Sequence, residues 1–153
     1  MVESNEARHP LSWTATCFSL DEYNLDLFPG EHDKAVGAIC HGVTVLSSAK
    51  GSGGQSVIHQ CTTTTLPGFF ESSVYWATRA FLGDYYKTYS AGSENTEDSV
   101  RRSLADDSKQ FKGSNSFTPF VVKDDGYNYV SSRWPGDADL SAKTLIDLVR
   151  ESQ

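Results

Sequence analysis

Cys40 and His41 stand side by side in the stretch GAICHGVTVL, where an apolar run stops and a helical one begins. An adjacent thiol and imidazole are the parts of a cysteine nucleophile: the imidazole takes the thiol proton and the sulfur attacks a carbonyl carbon. Ala38 lies two residues before Cys40 and Gly42 two after. Small residues there let the chain turn without a side-chain clash, the steric logic of a nucleophile elbow with cysteine in place of serine. A helix starting at Val43 would turn its positive end toward the sulfur. The thiol pKa is therefore expected to fall below its free value of roughly 8.5. An inert buried thiol is the other reading of the same residues.

The elements that must position this pair follow from pattern. Ala35 to Ile39 is a short, continuous apolar run, the pattern of a strand buried on both faces, and Val43 to Ala49 continues it as a helix. Leu25 to Phe28 reads as a strand closed by Pro29-Gly30, and the β-branched run Val57 to Thr64 as another strand. The loop KGSGGQS lacks the Gly-Lys-Ser/Thr of a phosphate loop. Pro67 opens a helix that Gly83 stops, with Phe70, Val74, Ala77 or Tyr75, Ala80 and Phe81 near helical spacing, a face for core packing or for a subunit interface. Glu97 to Ala105 is a short amphipathic helix. FVVKDDGYNYVSS is a hairpin about Asp125-Gly126. In the closing RWPGDADLSAKTLIDLVRES, Pro135-Gly136 turn the chain, Asp137 suits an N-cap, Trp134 suits the core, and Leu140, Leu145, Ile146, Leu148 and Val149 form an apolar face. This order predicts a single α/β domain over residues 1–153 with a mainly parallel sheet, residues 1–20 being irregular.

Composition excludes several function classes. A net charge of −7 leaves no basic face for nucleic acid or an anionic membrane surface. The apolar stretches are far shorter than a membrane span, and the acidic N-terminus MVESNEARHP has no apolar signal core. Three cysteines, Cys17, Cys40 and Cys61, make an odd set without framework spacing. Free thiols in a reducing compartment, the cytoplasm, are expected.

Four ordered stretches carry a resemblance. AICHGVTVL is similar to the Ala-Ile/Val-Cys-His-Gly-Pro elbow of the ThiJ/PfpI superfamily, the flavodoxin-like, class I glutamine-amidotransferase-like fold of the Parkinson-associated deglycase. DEYNLDLFPGEH looks like its strand and Pro-Gly-Gly turn. TTTTLPGFFESSVYWATRAFLGDYYKTY and NYVSSRWPGDADLSAKTLIDLV look like a long helix and the closing segment of one branch. The resemblance covers roughly residues 21–151.

It implies Cys40 as nucleophile, His41 as its proton partner, and an oxyanion hole from backbone N–H groups at His41 and near Gly30, beside Gly42. Glu31, His59, Arg133 and Asp137 are further candidates. Glu31 stands where the family has a glycine and could substitute for its acid. His59 could reach Cys40 or be a satisfied strand histidine, and Arg133 and Asp137 could line the pocket. No metal and no organic cofactor is implied. A dimer or larger homo-oligomer is expected, as is a small carbonyl or peptide substrate.

The family's first strands and its acidic residue lie ahead of the matched part, so N-terminal strands are expected to be missing or rearranged. The six residues Pro29 to Lys34 are also too few for a parallel crossover, which takes about a dozen. Two functions follow: a weakly active or inactive relative that keeps the elbow, or a cysteine-dependent hydrolase or glyoxalase/deglycase-type enzyme.

Overall fold

The computed structural model describes residues 35–51, 53–85, 87 and 92–151. The expected strand at Leu25 to Phe28, and with it Gly30, Glu31 and Cys17, lies outside the described residues.

Strand β1 (Val36–Ile39) runs into helix α1 (Gly42–Ser48) through Cys40 and His41. Helix α2 (Gly68–Leu82) begins after Pro67, whose fixed φ suits a helix entrance, and ends at Gly83, which takes a φ of 56° that few side chains tolerate. Asn95 caps α3 (Thr96–Ser103) by accepting the Asp98 N–H, and a short α4 (Asp107–Gln110) follows. Strands β2 (Val121–Lys123) and β3 (Tyr129–Ser132) form the hairpin, and a 3-10 turn (Pro135–Asp137) leads into α5 (Ala138–Glu151).

The described sheet has the order β1-β3-β2. β1 pairs parallel with β3, Val36 opposite Tyr129 and Ile39 opposite Ser132, while β2 pairs antiparallel with β3. The class is α/β, with a small mixed sheet rather than a mainly parallel one in this part of the chain. Alternation along the strands sends Val36, Ala38, Tyr129 and Ser131 to one face and Gly37 and Val130 to the other. On the first face Ala38 and Tyr129 join Val43, Ile58, Cys61, Val100, Leu104 and Phe111 in the core. On the second, α5 lies so close that a Cβ on Gly37 would meet Leu145 Cδ2 at 2.8 Å.

Residues 57–60 are a turn and 61–64 mostly irregular rather than the expected strand, with bonds from the His59 N–H to the Ser56 carbonyl and the Cys61 N–H to the Ile58 carbonyl. Only Thr63 makes a bridge, to Phe111. The β-branched threonines serve a different purpose: their side chains and amides tie the segment across the sheet. Thr63 Oγ1 bonds Tyr129 Oη at 2.9 Å and Ser131 Oγ at 3.2 Å, and the Thr64 N–H donates to Ser131 Oγ. Side-chain partners replace the ladder that propensity alone predicts.

Candidate functional site

The C-terminal end of β1 fixes Cys40. Its N–H donates to the Ser132 carbonyl at 2.9 Å, prolonging the β1–β3 ladder by one bond, and its carbonyl accepts the Thr65 hydroxyl at 2.8 Å. Between these anchors Cys40 takes a φ of 58°, the one positive φ of a non-glycine residue among the described residues. An L side chain there costs about 1–2 kcal/mol, and such strain persists where the surroundings over-determine it. Gly42 does not relieve it, since a Cβ at Gly42 would meet nothing within 4 Å. The turn is imposed on the cysteine itself.

Cys40 Sγ lies 3.4 Å from His41 Nδ1, within sulfur hydrogen-bond reach. His41 is exposed and stands at the start of α1, which has no side-chain cap. The thiol, however, moves opposite to the sequence expectation. Burial pushes its pKa up, the His41 backbone N–H pulls it down, and the negative charge of Glu71 pushes it up again, for a net rise. A seven-residue helix offers a weaker field than the desolvation it must overcome.

Glu71 is the residue that the sequence pattern did not single out. It sits in the first turn of α2, 3% exposed, and accepts the Thr96 N–H at 2.7 Å. Its signal was an acid inside the apolar helix start PGFFES, where a solvated position would be ordinary. Thr65 was likewise hidden in the TTTT run. Both bring α2 and its leading loop to the Cys40 turn.

The remaining candidates do other work. The His59 ring nitrogens are taken by the Ser103 carbonyl at 2.8 Å and the Gln55 side chain at 3.0 Å, which leaves neither for Cys40. Arg133 and Asp137 are fully buried and paired at 2.9 Å. The other Arg133 donors go to the carbonyls of Ser114, Ser116 and Thr118, so the guanidinium latches the 114–118 loop. Asp137 accepts from Arg133 and from the Phe120 N–H rather than serving as the N-cap of α5. Trp134 is buried, as expected, against Phe70 and Phe117. Cys61 is 1% exposed, its pKa pushed up to about 12 by burial and then by Asp124.

A cleft of about 320 Å³ opens beyond Thr65 and Pro67, between α3 and residues 111–115. Among the described residues no group of three or more His, Cys, Asp or Glu is arranged to hold a metal ion, and no helix is long and apolar enough to cross a membrane.

Two solved structures share this fold. The protein designated APC35852 superposes with a TM-score of 0.59 at 22% identity, over 80% of this chain and 48% of its own. The Rapid Encystment Protein 24 KDa of Francisella tularensis does so with a TM-score of 0.56, also at 22% identity, over 76% and 44%. The chain thus spans about half the length of the solved proteins it matches. No curated protein matches it significantly. Residues 30–114, more than half of the chain and inclusive of the Cys40 turn, match the family described as ThiJ/PfpI family-like, and the chain belongs to that family.

Proposed function

We propose that Cys40 is the nucleophile of a cofactor-independent thiol site that adds to the carbonyl carbon of a small aldehyde, amide or peptide, with slow turnover. The observation that carries this reading is the positive φ at Cys40, a strained conformation at the strand end where α/β folds place reactive groups. As the Sγ–C bond forms, His41 Nδ1 takes the thiol proton and the carbonyl π pair moves to oxygen. N–H groups at the start of α1 would face that oxyanion, and proton return from His41 gives the neutral adduct.

Glu71 acts on the sulfur: its negative charge, added to burial, opposes a free thiolate at Cys40. Proton transfer then belongs to the attack itself rather than preceding it, which is the physical reason for slow turnover. The same raised thiol favours a second reading, a non-catalytic relative that keeps the elbow. Limiting iodoacetamide at neutral pH, followed by peptide mapping, tests the nucleophile. Cys40 should carry label before Cys61 and Cys17, and earlier labelling of either of those would sink the proposal.

A further inference from the structure

The cleft beside the Cys40 turn contains an arginine whose environment is unusual for a binding cation. The Arg101 guanidinium lies over the Phe111 ring at 3.9 Å, its Nε donates to Glu97 at 2.9 Å and its Nη1 reaches Asp107 at 3.4 Å. Nη2 takes no partner among the described residues. The group is therefore fixed in place by a ring and two carboxylates, with one donor edge left over. One cation against two carboxylates leaves the cluster net negative, on a chain that is itself at −7.

Two links join this cleft to the elbow. Thr65, a lining residue, donates its hydroxyl to the Cys40 carbonyl. Pro67, another, starts the helix that one turn later presents Glu71 to Cys40. Asn115 lies on the rim, exposed, and its amide has no partner among the described residues.

Building on the Cys40 reading, we propose that the cleft holds the remainder of the carbonyl substrate and selects for a neutral, oxygen-bearing tail. Arg101 Nη2 and the Asn115 amide supply donors that an amide or hydroxyl oxygen satisfies. A carboxylate would gain the same hydrogen bonds but would meet Glu97 and Asp107, whose repulsion at these separations corresponds to roughly a tenfold loss in affinity. Arg101 and Asn115 are then specificity-determining residues, separate from the bond-forming pair.

The test uses aldehydes of equal length that differ in the tail, hydroxyl, amide or carboxylate, together with formaldehyde, which is too small to reach the cleft. The readout is protection of Cys40 from limiting iodoacetamide, which needs no turnover. Hydroxyl and amide tails should protect at about a tenth of the concentration that the carboxylate tail requires. Asn115→Trp, which fills the cleft from an exposed rim position, should abolish that difference. Asp107→Asn should narrow the gap by admitting the carboxylate tail. Equal or better protection by the carboxylate, or an unchanged ranking in Asn115→Trp, overturns the cleft assignment while leaving Cys40 as nucleophile. Failure of every aldehyde, formaldehyde included, to protect Cys40 overturns the parent reading and the cleft assignment with it.

Discussion

Burial and the Glu71 charge both disfavour a thiolate at Cys40, while the His41 N–H favours one, and the balance lies on the raised side. Cys40 alkylation is therefore expected to rise steeply as the pH climbs past about 9, instead of levelling off near neutrality as a low-pKa nucleophile would. Glu71→Gln keeps an acceptor for the Thr96 N–H but removes the charge, so the Cys40 pKa should drop and alkylation at pH 7 should quicken several-fold. Iodoacetamide rates against pH for both proteins measure this; an unchanged profile would mean that Glu71 does not act on the sulfur. The Cys-His pair was legible in the sequence because its members are neighbours and sit where an apolar run breaks. The sign of the thiol shift was not, because it depends on a carboxylate and on packing that come from distant parts of the chain.

Among the elements, α2 and the hairpin announced themselves through residues with a single physical reading: Pro67, Gly83 and Asp125-Gly126. The 57–64 segment did not, since β-branched side chains fit a strand by pattern yet here hydrogen-bond across the ends of strands already paired. Arg133 shows the same limit: RWPGDA reads as a turn, whereas all five guanidinium donors are spent inside the fold. Burial pushes the Asp137 carboxyl up, but Arg133 and two backbone N–H groups outweigh it and hold its pKa low. Arg133→Met strands that carboxylate and three carbonyls, an expected loss of about 3–5 kcal/mol in urea unfolding at pH 7. Asp137 has a depressed folded pKa, so its contribution is present above the unfolded carboxyl pKa of about 3.9 and fades as the pH falls through the folded one. The gap between wild type and Arg133→Met should thus narrow only as the pH falls below about 3.9; a constant gap there would argue against the ion pair as its cause. Gly68→Ala is expected to cost about 1–2 kcal/mol, because its Cβ would come within 2.8 Å of the Asn95 side chain that caps α3.

At the scale of the molecule, α2 departs most from its sequence reading. Of the face expected in the core or at a subunit interface, Ala77, Ala80 and Phe81 are exposed, Phe70 and Val74 half-buried and Tyr75 buried. Phe81 is 89% exposed, and beyond that face Trp76 is 67%, Phe69 48% and Leu82 49% exposed, while Glu71 is buried. Periodicity located an apolar stripe but not what covers it. Phe81 and Trp76 together leave roughly 300 Å² of aromatic surface open along α2, and exposed apolar area on that scale marks interaction sites. We propose that the expected homodimer forms through this charge-poor face, where acidic copies repel least. Light scattering over a dilution series should show a dimer that Trp76→Glu with Phe81→Glu turns into a monomer; a wild-type mass independent of concentration and equal to the monomer would refute it. The central claim concerns what Cys40 does to a carbonyl, and consumption of an α-oxoaldehyde by the wild-type chain beside Cys40→Ala tests it most directly. Slow consumption that disappears in Cys40→Ala is the predicted result, and identical time courses for the two proteins would contradict it.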